Sequence, residues 1–169
     1  ARMEAGIVEL IAELWPVRAG DLPYSTPEEA LVLASMVEKE TALAVERRKV
    51  AGVFVNRLRK GMRLQSDPTV IFAVTGGGGP FKRSLNKADL ALDSPFNTYR
   101  HEGLPPAPIA HPGRESLAAA LNPEATDVLY FVADGNGGHV FATTLKEHNK
   151  NVARWRSLQL SLIHICRCR

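Results

Sequence analysis

The sequence feature that most constrains the fold is a helix start at Thr26. Thr26 is a suitable N-cap, Pro27 suits the first helical position, and Glu29 lies at the spacing of a capping box. Apolar residues then recur at helical spacing, which predicts a buried face made of Ala30, Leu33, Ala34, Val37 and Thr41. The pattern therefore predicts a core helix that reaches about Thr41.

Two glutamates near the end of this helix are candidates for acid–base chemistry. On a helical wheel Glu38 falls inside the mostly apolar arc, whereas Glu40 lies on the opposite flank, beside Leu33. A carboxyl group in apolar surroundings has a raised pKa, which suits a general acid near neutral pH. Glu38 is therefore the first candidate. The alternative is that both carboxylates form ordinary ion pairs with Lys39, Arg47 or Arg48.

Length and composition indicate one ordinary globular core. The chain has 169 residues, of which 45% are hydrophobic and 23% charged, so two full domains would be crowded. The net charge of +3 is mild, and no basic run carries interleaved aromatic residues, so nucleic-acid binding is not expected. No apolar run reaches the roughly 18 residues of a membrane span.

Both ends of the chain are expected to lie outside the main domain. Residues 1–24 resemble the end of a preceding helix and a linker, in a chain truncated at its N-terminus and without a signal peptide. Residues 157–169 are predicted to be a non-native tail, because Leu160–Ile165 resembles a translated sequencing adapter. The domain proper is therefore predicted over 25–156.

The rest of the chain is predicted to be helical except for one hairpin. Val128–Ala133 is the one clear β-run, and His139–Ala142 is the returning strand after a glycine-rich turn. Proline-rich residues 94–109 are predicted to form the wall of a groove against a helix. The expected fold class is α+β, with several helices packed on a small, mainly antiparallel sheet. Further helices are predicted over about Val45–Lys60, from Ser66–Asp67, over Ser84–Leu90, from Pro112, and from Thr143 or Thr144.

Individual polar residues allow both structural and functional interpretations. Asp67 is either the N-cap of a helix or, with Gln65, a group directed at a ligand. His139 is either a structural histidine or a binding residue at the edge of a site. His139 and His148 are the only histidines expected to approach each other, and no third ligand accompanies them, so no metal and no other cofactor is expected.

A series of short blocks follows one order along the chain. The blocks are Leu33–Thr41, Val53–Leu58, Leu64–Thr69, Asn97–Tyr99, Gly103–Pro106, Tyr130–Ala133, Gly138–Phe141 and His148–Asn149. In this order they resemble the catalytic domain of the bacterial endolytic murein transglycosylases, the YceG-like family, over about Trp15–Trp155.

This resemblance implies an enzyme that cuts peptidoglycan glycan between N-acetylmuramic acid and N-acetylglucosamine during wall assembly. The cut would consume no water and would leave a 1,6-anhydro-muramic end. One glutamate would carry out both proton transfers, and the first Glu of the Val-Glu-Lys-Glu block is Glu38, with Glu40 as a supporting or alternative acid. The expected substrate-binding residues are Gln65, Asp67, Asn97, Tyr99 and His139.

Two other functions remain open at this stage. The first is a hydrolytic glycosidase in which Glu38 is the acid and Asp67 helps a water molecule. The second is a non-catalytic module that binds glycan as a scaffold. The expected partners are peptidoglycan strands and peptidoglycan synthases. The expected location is the outer, periplasmic face of the bacterial inner membrane, reached through an N-terminal helix missing from this chain.

Overall fold

A computed structural model describes residues 2–167, with side chains described over 6–159. Helices predominate in this part of the chain, and one small antiparallel sheet accompanies them, so the predicted α+β class is confirmed. The elements are α1 (Arg2–Leu14), α2 (Pro27–Glu40), α3 (Arg47–Arg59), α4 (Asp67–Thr75), α5 (Lys87–Leu90), α6 (Arg114–Leu121), β1 (Tyr130–Ala133), β2 (His139–Ala142) and α7 (Leu145–Arg167).

Helix α2 runs through the core, as its sequence predicts. The Thr26 hydroxyl accepts a hydrogen bond from the Glu29 backbone N–H at 3.2 Å, and the Glu29 carboxylate accepts one from the Thr26 backbone N–H at 3.1 Å, which completes the capping box. Helices α3 and α6 pack against α2. Its buried face meets apolar side chains from α3, α6 and the loop after α3, including Val50, Phe54, Leu64, Leu117 and Leu121.

Helix α3 begins two residues later than the sequence predicts, because Ala44–Glu46 form a 3-10 turn. Within α3, Gly52 lies so close to the next segment that an added Cβ would sit 2.6 Å from the Glu124 backbone oxygen. The Glu124 backbone N–H donates to the Arg48 carbonyl at 2.9 Å. These contacts bring the chain that leads into the hairpin alongside α3.

The hairpin is the whole sheet of the described chain, with Tyr130 opposite Ala142 and Ala133 opposite His139. Strand β1 starts at Tyr130 and not at Val128 as predicted. The Val128 carbonyl instead accepts a hydrogen bond from the Asn56 side chain at 3.1 Å. Helix α7 packs across both strands.

Most of the proline-rich segment lies away from the main cavity, which corrects the predicted groove wall for residues 94–109 except at Tyr99, which lines that cavity. The Ser35 hydroxyl of α2 accepts a hydrogen bond from the Ile109 backbone N–H at 3.0 Å, and Pro105 and Ile109 are buried. The segment therefore covers the core beside α2. The main cavity lies elsewhere, between the end of α2, the hairpin and α7.

The two ends of the chain carry few further findings. None of the helices in the described part of the chain combines the length and the apolar character needed to cross a membrane. Helix α7 continues to Arg167, while the side chains after residue 159 and the last two residues of the predicted 157–169 tail lie outside the described residues.

Candidate active site

A cavity of about 580 Å³, the main cavity, collects most of the predicted site residues. Its floor comes from the end of α2 and from α3, and its walls come from the Leu64–Asp67 turn, the hairpin and α7. Glu40, Gln65, Asp67, Tyr99 and His139 line it, whereas Glu38 and Asn97 do not. Five of the seven predicted site residues therefore share this cavity.

Glu40 is the last residue of α2 and is half-buried in the cavity floor. Its carboxylate accepts a hydrogen bond from the Ser66 hydroxyl at 2.8 Å. The pKa of Glu40 is raised to about 7, mainly by burial and also by the nearby Asp67 carboxylate, while Ser66, His139 and Arg57 oppose the change. Glu40 can therefore both hold and release a proton near neutral pH.

Glu38 has the opposite electrostatics, so the pKa argument that favoured it is wrong. Its carboxylate turns towards α6 and accepts a hydrogen bond from the Gly113 backbone N–H at 3.0 Å. The Ser116 hydroxyl and this N–H hold the pKa of Glu38 below its ordinary value. The N-terminus of a helix favours a carboxylate, and Gly113 is the N-cap of α6. Glu38 therefore joins α2 to α6.

Arg57 of α3 organises the turn that carries Gln65. Its Nη1 donates to the Arg63 and Leu64 carbonyls at 3.0 Å and to Gln65 Oε1 at 3.2 Å, and its Nε donates to the Leu129 carbonyl at 2.7 Å. One buried guanidinium thus links α3, the Gln65 turn and the start of the hairpin. Its positive charge also stabilises the ionised form of Glu40.

Gln65 is the one non-glycine residue with a positive φ, 52°, in the described chain. A left-handed backbone costs a residue with a side chain about 1–3 kcal/mol and is most often retained at functional sites. The Gln65 backbone N–H donates to the Thr98 carbonyl at 3.1 Å, and the next N–H, of Ser66, donates to the Thr98 hydroxyl at 3.0 Å. These bonds hold the turn so that Gln65 and Asp67 both line the cavity.

Asp67 is the first residue of α4, and Ser66, not Asp67, occupies the N-cap position. The Tyr99 hydroxyl donates to Asp67 Oδ1 at 2.6 Å. Burial raises the pKa of Tyr99, and its hydrogen bond to Asp67 raises it further, so the phenol stays protonated as a donor. The pair places a negative charge in the cavity near Glu40.

Asn97, predicted to bind substrate, is hydrogen-bonded to the backbone of its own loop in this structure. It is fully buried, and its amide donates to the Leu90 and Leu92 carbonyls at 3.1 and 2.8 Å. Its side-chain oxygen accepts a hydrogen bond from the Tyr99 backbone N–H at 3.0 Å. Asn97 therefore fixes the loop that positions Tyr99.

His139 begins strand β2 and is held by a residue that the sequence analysis missed. Glu46, in the 3-10 turn before α3, accepts hydrogen bonds from the His139 backbone N–H at 3.0 Å and from the ring Nδ1 at 2.8 Å. The ring also packs edge-on against Phe131, with ring centroids 5.2 Å apart. His139 therefore joins the cavity wall in one fixed orientation.

Aromatic and amide side chains of the hairpin and α7 complete the cavity. Tyr130 stacks on His148, with ring centroids 5.2 Å apart, and the Arg57 guanidinium lies 5.1 Å from the centre of the Tyr130 ring. Burial, and then the charge of Arg57, lower the pKa of His148, which favours a neutral ring. Asn149 and Trp155 line the same wall. The sequence analysis had singled out Tyr130 and Asn149 only within the blocks Tyr130–Ala133 and His148–Asn149, and it gave Trp155 no role.

The cavity suits acid–base chemistry on a polar, uncharged ligand. It combines a carboxyl group that titrates near neutrality, a second carboxylate, amides and aromatic faces. Among the described side chains, no group of three or more His, Cys, Asp or Glu residues is arranged to hold a metal ion.

Comparison with known proteins points to one family. The model of the YceG-like family matches residues 2–154. An endolytic murein transglycosylase of Bacillus subtilis strain 168 is 51% identical over 120 residues, which is 71% of this chain and 32% of that protein. An endolytic murein transglycosylase of Streptococcus pneumoniae strain D39 is 39% identical over 130 residues, 76% of this chain and 24% of that protein.

The fold also matches a solved structure. A crystal structure of a yceG-like protein from Listeria monocytogenes superimposes with a TM-score of 0.66 and 47% sequence identity, over 73% of this chain and 38% of that one. The chain spans only about a quarter to a third of the length of the curated relatives it matches. Family model, relatives and fold all agree, and the chain belongs to the YceG-like family.

Proposed function

We propose that this chain is the catalytic part of a murein transglycosylase that cleaves the glycan strands of peptidoglycan. The names of the two relatives support the reaction class, and the polar, aromatic cavity is compatible with a sugar polymer. The observation that carries the proposal is Glu40, whose carboxyl group lies in the cavity floor with a pKa of about 7.

In this proposal Glu40, and not Glu38, transfers both protons. Protonated Glu40 donates to the glycosidic oxygen as the bond from C1 of N-acetylmuramic acid breaks, and the bonding electrons leave with that oxygen. The C6 hydroxyl of the same muramic residue then attacks C1, and the Glu40 carboxylate takes its proton. A 1,6-anhydro ring forms and no water is consumed. A pKa near 7 serves both steps, because both forms of Glu40 are then populated.

Intramolecular attack explains why one acid is sufficient. Hydrolytic glycosidases use two carboxyl groups, one as the acid and one as a base or nucleophile. Here the nucleophile is part of the substrate, and tethering supplies a high effective concentration. The Asp67 carboxylate, held by Tyr99, would stabilise the positive charge that develops on the sugar ring.

The test is digestion of purified peptidoglycan followed by mass analysis of the products. We expect anhydro-muramic ends, which are lighter by one water than the reducing ends left by hydrolysis. Glu40→Gln should abolish cleavage. Glu38→Gln, two residues away on the same helix, is the matched control and should keep most of the activity.

Each outcome of this digestion has one meaning. Reducing ends would establish hydrolysis, with Asp67 as the group that activates water. If Glu38→Gln is inactive and Glu40→Gln is active, Glu38 is the catalytic acid. A wild-type chain that binds glycan strands and never cuts them would be a binding module.

A further inference from the structure

The second titratable pair at the cavity is His139 with Glu46, and the catalytic proposal leaves it without a role. The two side chains are only 13% and 17% exposed. Glu46 lies between α2 and α3, and His139 is the first residue of β2, so their contact joins two distant parts of the chain.

One carboxylate binds both donors of the same residue. Glu46 Oε1 accepts the His139 backbone N–H at 3.0 Å, and Glu46 Oε2 lies 2.8 Å from the ring Nδ1. An ionised carboxylate has acceptors only, so the Nδ1 that meets it carries a proton. The Thr41 hydroxyl, 3.4 Å from Oε2, holds the carboxylate from its other side.

The other ring nitrogen of His139, Nε2, is available to a ligand in the cavity. Among the side chains described over 6–159, none forms a hydrogen bond with His139 Nε2, and the ring belongs to the cavity wall. Phe131 and Phe141 pack against the ring, with centroid separations of 5.2 and 6.3 Å, and prevent it from rotating freely. In a neutral ring the proton on Nδ1 leaves Nε2 as an acceptor.

The turn before His139 is shaped for this contact. A Cβ on Gly138 would lie 2.9 Å from Glu46 Oε1 and 3.2 Å from Asp134 Oδ2. Only a residue without a side chain lets the Glu46 carboxylate approach as closely as it does.

We infer that Glu46 is a positioning residue that fixes His139 in the tautomer with its proton on Nδ1. Nε2 then faces the cavity as a hydrogen-bond acceptor for a hydroxyl or acetamide N–H of the glycan. The identity of the ligand rests on the function proposed above, whereas the tautomer depends only on the contact with Glu46.

The tautomer is measured directly by nitrogen-15 NMR of the histidine rings in the full chain. We expect Nδ1 of His139 to carry a proton and Nε2 to carry none. Glu46→Gln and Gly138→Ala should both raise the population with the proton on Nε2. Glu102→Gln, at an exposed residue outside the cavity, is the matched control and should change nothing.

Kinetics on soluble, uncrosslinked glycan strands test the second half of the inference. Loss of one well-placed acceptor should raise KM roughly three- to tenfold and change kcat little in Glu46→Gln. Gly138→Ala keeps the glutamate at residue 46 but displaces its carboxylate from His139, so it should act in the same direction.

The outcomes separate this inference from the proposed function. A wild-type His139 with its proton on Nε2, or with both nitrogens protonated, overturns the inference even in an active enzyme. If the wild-type tautomer is as expected but KM is unchanged in both variants, the proposed contact between Nε2 and the glycan is refuted. A wild-type chain that neither binds nor cuts glycan refutes the proposed function and the glycan contact, while the tautomer still decides the role of Glu46.

Discussion

Replacing Glu40 by glutamine should stabilise the protein, and the gain should depend on pH. Unfolding returns the carboxyl group from a pKa of about 7 to its ordinary 4.5. Between those values the folded chain keeps a proton that the unfolded chain has lost. Raising the pH across this window therefore lowers the free energy of unfolding of the wild type, and below the window Glu40 has no such effect.

The size of this effect follows from the shift. A change of one pKa unit corresponds to about 1.4 kcal/mol, so a shift from 4.5 to about 7 corresponds to about 3 kcal/mol. Glu40→Gln keeps an oxygen for the Ser66 hydroxyl and cannot ionise. The variant should match the wild type at about pH 4 and exceed it by up to about 3 kcal/mol at about pH 8.

Glu38→Gln is the control, because the charge of Glu38 should affect the free energy of unfolding with the opposite pH dependence. The pKa of Glu38 is lowered, so its carboxylate stabilises the folded chain above the ordinary pKa and loses this effect as the pH falls. Urea unfolding of both variants and the wild type at several pH values provides the comparison. A difference between Glu40→Gln and the wild type that is the same at all pH values would refute the reasoning, as would an exchange of behaviour between the two variants.

Three further substitutions test the supporting structure. Asn97→Ala leaves two carbonyls and one N–H without their partner, so urea unfolding should show a loss of about 2–4 kcal/mol; an unchanged midpoint would contradict its structural role. Tyr99→Phe removes the donor to exposed Asp67, and it should cost no more than about 1 kcal/mol of stability while lowering kcat/KM on peptidoglycan; wild-type kcat/KM would show that catalysis does not depend on the hydrogen bond between Tyr99 and Asp67. Gly52→Ala places a Cβ 2.6 Å from the Glu124 carbonyl and should cost about 1–3 kcal/mol, measured as a lower Tm; a higher Tm would show that the two segments separate easily.

Features set by neighbouring residues were predictable from the sequence. The capping box at Thr26 and the hairpin turn at Asp134 depend on side chains within a few positions of the backbone groups they bind. For the same reason the order of helices and the single hairpin followed from periodicity and turn residues. Boundaries moved where a distant side chain took a backbone partner, as Asn56 did at Val128.

The choice between the two glutamates was not predictable from α2 alone. A helical wheel shows which residues share a face, and it does not show what packs against that face. Glu38 meets Gly113, 75 positions away, which stabilises its charge, and Glu40 meets Ser66 and a second carboxylate in a buried floor. Environment, and not position on the wheel, separates their pKa values.

The roles of Asn97 and Glu46 depend in the same way on tertiary contacts. Asn97 belongs to one of the blocks that resemble the family, and its side-chain amide donates hydrogen bonds to two loop carbonyls. The sequence analysis assigned Glu46 no role, and its carboxylate binds His139, 93 positions later. A sequence pattern identifies such residues as part of the site without saying what each one contacts.

The most direct test of the central claim is the titration of the two carboxyl groups by carbon-13 NMR in the full chain. The account predicts a midpoint near 7 for Glu40 and a midpoint below its ordinary 4.5 for Glu38. A Glu40 that titrates near 4.5, or a Glu38 that titrates above Glu40, would contradict it.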